Sequence, residues 1–307
     1  MTNRLLTFLM AVAWLGGIML AAPAAAQDEG RRIEVEHVRA AGLPDQRLTI
    51  WLPPGYDSSK RRYGVVYMHD GHNLFDLTKS NFNKIWAADK AMLAASNKGS
   101  FQPYIIVGIW APGADRYRQY LPKDIYDLAS PALRDRMDKM AGGPVISDAY
   151  LAWLAGPLKQ WVDRTYRTRP GSRDTVIVGS SMGGIMSCYA IVRRPDIYGR
   201  AACVSSHWPA VDPGEAGSLD PEVAALWHSW LQQRLGQPKG RRVWMDHGTA
   251  TLDAFYAPYQ QKIDARFAAS GWKRERDWES KVYAGAEHEE NAWAARLPEI
   301  FGWLLRR

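Results

Sequence analysis

Thr175-Val176-Ile177-Val178-Gly179-Ser180-Ser181-Met182-Gly183-Gly184-Ile185-Met186-Ser187-Cys188-Tyr189-Ala190-Ile191-Val192 is the stretch on which the fold turns. Its first four residues are a short apolar, β-branched run, the mark of a strand buried on both faces. Gly183 to Arg193 reads as a helix. Between strand and helix stands G-x-S-x-G. In a strand–turn–helix context this pattern makes a tight elbow that holds the serine in a strained backbone conformation. A side chain two residues before or after the serine would collide with the turn, so glycine occupies both places. Gly179 and Gly183 bracket Ser181 symmetrically, which selects Ser181 over Ser180 as the candidate nucleophile. Alone, the pattern is also met in ordinary glycine-rich β–α turns, so its weight comes from the segments around it.

Working outward, Ile33–Val38 and Arg47–Leu52 alternate like two strands of an antiparallel hairpin. Gly64–His69 and Tyr104–Trp110 are continuous apolar runs. Ala201–Ser205, Arg242–Asp246 and Glu279–Tyr283 follow the elbow as further strands. Helical patterns fall between them at Ile85–Ala95, Ser147–Tyr166, Pro221–Leu235, Ala254–Ser270 and Asn291–Leu305. Strands alternating with helices predict a mostly parallel sheet covered on both faces. With two leading antiparallel strands this is the α/β-hydrolase order. Ala111–Pro144, rich in Pro, Gly, Asp and Arg, is the least regular stretch and reads as a pocket-shaping insertion above the strand ends.

Arg4 is the only charge before Asp28, Leu5–Leu20 is almost wholly apolar, and Ala21-Ala22-Pro23-Ala24-Ala25-Ala26-Gln27 supplies small residues with Ala24-x-Ala26 as the cleavage pattern. Residues 1–26 therefore read as a signal peptide, with residues 27–307 as a single domain of a periplasmic or secreted protein. No later segment is long and apolar enough to cross a bilayer, so no stable membrane insertion is expected once the signal is removed. Hydrophobic residues make up 47% of the chain, ample for one large core. Cys188 and Cys203 each fall in a core element and read as buried free thiols, with a disulfide as the alternative. The formal charge of +7 is carried by short separate groups, among them Arg193-Arg194, Lys239 with Arg241-Arg242, and Lys273-Arg274-Arg276. No aromatic-interleaved basic stripe joins them, which argues against a nucleic-acid partner. They read as solvated faces.

A serine hydroxyl needs a base within hydrogen-bond reach, and the base needs an orienting acid. In this fold the chain order is serine, acid, histidine. His288 follows the last expected strand and precedes the last helix, and is the candidate base. His37, His69 and His72 precede the serine, His228 lies within a helical pattern, and His207 and His247 sit too close behind their strands. The acid is Asp253 or, as runner-up, Asp246. Asp253 lies in the loop after Gly248, where it can turn towards His288; it could instead be the N-cap of the helix starting at Ala254. The oxyanion of acyl transfer needs two backbone N–H donors. Met182 supplies one, and His72, in the His69-Asp70-Gly71-His72-Asn73 loop that Gly71 lets bend, supplies the other. His69, Asp70 and His72 lack a further cluster at ligand spacing, and no H-E-x-x-H is present, so neither a metal nor a cofactor is called for. Trp86, Trp110 and Trp208 approach strand ends at the catalytic face. Trp110 and the His207-Trp208 pair are the candidate substrate-lining residues.

Tyr67-Met68-His69-Asp70-Gly71-His72-Asn73-Leu74-Phe75, the Gly179–Gly184 elbow, Ser205-Ser206-His207-Trp208-Pro209, Asp246-His247-Gly248-Thr249 and Gly285-Ala286-Glu287-His288 resemble the putative-esterase family of α/β-hydrolases. The family takes in esterase D-like enzymes, enterochelin-esterase-like proteins, feruloyl and acetyl-xylan esterases, and mycolyltransferases. The resemblance implies a serine triad with an oxyanion donor after the Asp-Gly pair, and supports Ser181, His288 and His72. The expected function is hydrolysis of a small-molecule or saccharide ester through an acyl-enzyme on Ser181. Acyl transfer to a sugar or lipid hydroxyl is the alternative enzyme, and an inactive binding protein on the same fold the alternative outside catalysis. The residues name neither the ester nor the oligomeric state.

Overall fold

The computed structural model describes residues 29–99, 101–216 and 219–306. The expected signal peptide and its cleavage point lie outside the described residues. Eight strands form one sheet: β1 (Arg31–Val38), β2 (Gln46–Leu52), β3 (Val65–His69), β4 (Ile105–Ile109), β5 (Thr175–Ser180), β6 (Arg200–Val204), β7 (Arg242–Gly248) and β8 (Trp278–Tyr283). Their spatial order is β1-β2-β4-β3-β5-β6-β7-β8. β2 runs antiparallel to both β1 and β4, and every pair from β4 to β8 is parallel. This is the mixed α/β sheet with two leading antiparallel strands expected from the order of elements.

The central strands are apolar without a break because they are covered twice. Val65 and Tyr67 enter the core on one face, Val66 and Met68 the core on the other. Successive side chains of a strand point to opposite faces, so a strand buried on both leaves no place for alternation. Edge strand β1 is largely exposed and alternates visibly. One face carries the elbow helix Met182–Arg193, with Pro221–Arg234, Ala257–Ala269 and the long helical stretch Ser147–Thr165. The other carries Ala88–Lys98 and the terminal helix Glu290–Leu305, which buries Trp293, Leu297, Ile300, Phe301, Leu304 and Leu305. At about 1.5–3 kcal/mol for each fully buried large apolar side chain, that stripe contributes heavily to holding the terminal helix to the sheet.

Three local readings are corrected. Ala111–Pro144 is not irregular: it forms helices Arg116–Tyr120, Lys123–Leu128 and Pro131–Ala141. They are held to the rest of the protein by long-range ion pairs, Arg193 with Asp124 at 2.5 Å and Arg136 with Asp220 at 2.7 Å. The helical stretch from Ser147 is interrupted by a π-turn at Leu154–Leu158 that contains Pro157. Proline has no N–H and crowds the carbonyl four residues back, and the wider turn relieves both faults. Cys188 and Cys203 are not free thiols. They form a disulfide, with Cα atoms 5.8 Å apart, that ties the elbow helix to β6.

Candidate active site

Ser181 stands between β5 and the elbow helix with φ 57° and ψ −123°, a conformation that an L-residue adopts only under constraint. The constraint is packing. A Cβ on Gly179 would lie 2.6 Å from the Gly183 carbonyl group and 2.8 Å from the His69 ring. One on Gly183 would lie 3.0 Å from the His69 Cβ. The bracketing glycines are thus required by close approach of the turn to itself and to β3. Ser181 N–H donates to the Val204 carbonyl and His207 N–H to the Ser181 carbonyl, which pins the elbow to the end of β6.

His288 and Asp253 meet. The His288 Nδ1 lies 2.6 Å from Asp253 Oδ1. A carboxylate there keeps the ring proton on Nδ1 and leaves Nε2 as the basic nitrogen. The loops that carry the two residues are sewn together. Thr249 and Ala250 N–H groups donate to the Ala286 carbonyl, and the Thr251 hydroxyl accepts from the His288 N–H. Asp253 sits in a 3₁₀ turn, Thr251–Phe255, and the following helix begins at Ala257, so its carboxylate is not an N-cap. The second oxygen of Asp253 accepts from Gly248 N–H at 2.5 Å and from the Ser205 hydroxyl at 2.6 Å. Burial pushes the Asp253 carboxyl up, but the His288 ring, Ser205 and Gly248 outweigh it and hold it below its ordinary value.

Asp246, the runner-up, turns away. Its carboxylate accepts from Arg296 at 2.9 Å, Trp244 Nε1 at 2.7 Å and Ser205 N–H at 3.1 Å. Full burial pushes its carboxyl above the ordinary value despite these partners. The Ser205 hydroxyl joins the two acids' surroundings, since Trp293 Nε1 and Arg296 Nη2 also donate to it. The sequence reading missed Ser205 in this role. Its signal, a serine at the exact end of a strand, is too common to single out.

The loop after β3 comes close for a reason other than the one expected. Gly71 does not make the bend: the left-handed residue is Asp70, at φ 56°. Gly71 is needed because a Cβ would lie 2.6 Å from the Gly108 backbone of β4. The Asp70 carboxylate is held by Arg116 in a bidentate pair at 2.7 and 2.8 Å. Burial raises and the Arg116 charge lowers the Asp70 carboxyl, with a net shift downward. His69 turns to the Tyr150 hydroxyl and His72 Nε2 to the Asn81 amide, so the three groups of this loop do not converge. The His72 ring is held below the ordinary imidazole value, chiefly by burial, and accepts at Nε2 from Asn81.

Ser181 and His288 line one cavity of about 450 Å³, without a direct hydrogen bond between their side chains. Its other walls include His72, Phe82, Lys84, Trp86, Arg116 and Trp293. Trp86 and Trp293 pack at 5.4 Å between ring centres, and the Trp293 ring stands edge-on to His288 at 5.0 Å. Phe82 is 82% exposed on a segment whose backbone is left-handed at Phe82, Asn83 and Ala87. That segment is tied down by Asn81 N–H to Asn73 Oδ1 and by Lys84 to Glu289. Tyr256 is buried beside Ser181. Its hydroxyl meets His207 Nδ1 at 2.8 Å, and Ser181 eases the strong upward shift that burial imposes on it.

The expected lining residues are placed elsewhere. Trp208 is 2% exposed, donates to Gln260 and packs edge-on against Trp227 in the core. His207 is buried, with Nε2 on the Val211 carbonyl and Nδ1 on Tyr256, and supports the elbow from below. Trp110 borders a separate cavity of about 140 Å³ behind His72, capped by the Arg47 guanidinium 3.7 Å from its ring centre. A tryptophan near a strand end is as readily core filler as wall, and the core claimed Trp208. Arg116, Phe82, Trp293 and Tyr256 were missed because they reach the site from segments whose local pattern says nothing of the active-site end of the sheet.

Known proteins resemble the chain in sequence or in fold. Bacillus subtilis (strain 168) YbbA, described as an uncharacterized protein, is 24% identical over 200 residues, 64% of this chain and 70% of its own. An IroE-like serine hydrolase from Shewanella oneidensis superposes with a TM-score of 0.62 at 17% identity, over 88% of this chain and 80% of that one. A feruloyl esterase module from Clostridium thermocellum, complexed with sinapinate, superposes with a TM-score of 0.58 at 15% identity, over 91% and 90%. At these identities the superpositions speak for the α/β-hydrolase fold. The family model described as "Putative esterase" matches residues 44–304, a span that holds the elbow, the loop after β3 and the loops of Asp253 and His288, and the chain belongs to that family of ester hydrolases.

Proposed function

We propose that the protein is exported and hydrolyses a carboxylic ester through an acyl-enzyme on Ser181. The observation that carries the reading is the 2.6 Å contact of His288 Nδ1 with Asp253, across one cavity from a serine on a strained elbow. Nε2 of His288 takes the Ser181 proton as Oγ bonds to the ester carbonyl carbon. The same proton passes to the leaving alkoxide as the C–O bond breaks. Water then attacks the acyl-enzyme, gives its proton to His288, and Ser181 leaves with that proton restored. The hydrogen bond between Oγ and Nε2, not made between the resting side chains, forms with substrate in place. The Met182 and His72 amides hold the oxyanion, with the Arg116–Asp70 pair beside them.

The substrate class follows from the walls. Phe82, Trp86 and Trp293 offer aromatic faces, while Lys84 and Arg116 are paired there with Glu289 and Asp70. An aryl or ring-bearing ester with a hydroxyl-rich partner suits them. The sinapinate bound by a structural neighbour and the enterobactin of another make feruloyl, sinapoyl and catecholate esters the first panel to try. Ser181→Ala should reduce hydrolysis of short p-nitrophenyl esters to the uncatalysed rate while near-UV circular dichroism stays unchanged. Turnover retained in that variant would remove Ser181 from the mechanism. Phe82→Ala should raise KM for aryl esters about tenfold or less and leave kcat on acetyl esters unaltered. An equal change for both esters would mean that Phe82 does not select the substrate.

A further inference from the structure

Basic residues that stand apart along the chain, Lys239, Arg241 and Arg242 among them, are brought together at the amino ends of β5, β6 and β7, the end of the sheet opposite Ser181. A cleft of about 720 Å³ there is lined by Arg173, Arg200, Arg234, Lys239, Arg241 and Arg242, with Asp196 as its one acid. Asp196 is engaged by Arg194. Arg241 has a structural use, because its guanidinium donates to the carbonyls of Ile191, Leu235, Gln237 and Pro238 at the ends of two helices.

Arg200 and Arg242 are different. They are direct register partners in the parallel ladder of β6 and β7. Like charges in that relation repel. Arg200 is 4% exposed, yet its guanidinium makes only two long contacts, 3.4 Å to the Tyr104 hydroxyl and 3.5 Å to the Arg306 carbonyl. Arg242 donates to the same carbonyl. Neither pairs with a carboxylate among the described residues, nor do Arg173, Arg234 and Lys239 on the rim. Burial first, then Arg200, Arg306 and Arg173, bring the Arg242 guanidinium down to about 10. The acids near these groups are few: Asp174 faces Arg200 and is shared with Arg169, and Asp277 faces Arg242 and is shared with Arg276.

We propose that this cleft is an oxyanion-binding site that takes a phosphate-bearing ligand, distinct from the ester site. A multivalent tetrahedral anion accepts from several guanidinium forks at once, which a single carboxylate cannot do. The cleft is also larger than one phosphate group. The source is a free phosphate compound or a lipid phosphate headgroup.

Pyrophosphate is the probe, titrated calorimetrically at ionic strength held constant with potassium chloride. Binding should be saturable, and about tenfold weaker in Arg242→Gln and in the rim double variant Arg173→Gln with Lys239→Gln. Fluorophosphonate labelling of Ser181 should be the same in all three proteins, which reports that they are folded and separates this site from the ester reaction. Pyrophosphate binding no stronger than that of chloride, or equal in wild type and both variants, would overturn the proposal. Co-sedimentation with phosphatidylglycerol vesicles, competed by pyrophosphate, would assign a lipid source. Pyrophosphate binding with no vesicle binding would assign a free one. Vesicle binding that pyrophosphate does not displace, with no calorimetric signal, would also overturn it.

Discussion

Asp253 and Asp246 are both buried, seven residues apart, and their surroundings move them in opposite directions. Asp253 is held low by His288, Ser205 and Gly248 against its burial; Asp246 is raised by burial despite Arg296. A group kept as an anion beside an imidazole suits an orienting acid, and one locked to an arginine suits a structural pair. Asp253→Asn should therefore lower kcat by about 10³–10⁴ with little loss of stability. Asp246→Asn should spare kcat in the folded fraction and cost about 3–5 kcal/mol in denaturant unfolding, since it leaves the Arg296 charge buried. The reverse pattern would exchange the two roles. Reading the chain alone favoured Asp253 from its position after Gly248, but could not see Ser205 or the Gly248 N–H. Those partners come from separate strand ends, and only the closed sheet brings them within 3 Å.

The elements were legible wherever burial on two faces wrote a continuous apolar run. β3, β4 and β5 are of that kind, and each forms within two residues of its expected bounds. Ala111–Pro144 was not legible because its helices are 5, 6 and 11 residues long. Helices so short gain little from their own hydrogen bonds and take their stability from partners elsewhere, here Asp70, Arg193 and Asp220. The Cys188–Cys203 bond was unreadable for a related cause. Whether two core cysteines touch depends on how the elbow helix lies over β6, which no spacing encodes. The bond closes a loop with a sequence separation of 15 residues. Cys188→Ala with Cys203→Ala should lower unfolding free energy by about 3 kcal/mol, measured in denaturant under oxidising conditions. An unchanged midpoint would mean that the elbow is held by packing alone.

At the scale of the whole molecule, acid is the weak point. His69 and His207 are enclosed under the elbow, and burial brings each ring down to about 4. An imidazole in the unfolded chain titrates near 6.5, so over this range the unfolded state binds the extra proton. Stability contributed by the neutral rings is complete above about pH 6.5 and falls as pH drops towards 4, by on the order of 3 kcal/mol for each ring. Asp70 and Asp253, held low, add a loss of the same sign only below the ordinary carboxylate range. Denaturation midpoints between about pH 7 and pH 4.5 should decline steadily, and His69→Gln should flatten the decline. A flat wild-type profile over that interval would show that the rings take up protons without opening the core. Among the described residues no helix is long and apolar enough to cross a membrane.

The cavity also divides the chain in a way that bears on descent. His72, Phe82, Lys84, Trp86 and Arg116 come to its walls from the segments that follow β3 and β4, and Trp293 from the terminal helix. The proposed nucleophile, acid and base all come later, after β5, β7 and β8. Most of the proposed recognition surface thus lies in the first half of the sequence, and the proposed triad in the second. Drift in the first half can retarget the enzyme while the second half is left untouched, and a cassette from about residue 76 to 144 is the natural unit to exchange between relatives that differ in the ester they cleave.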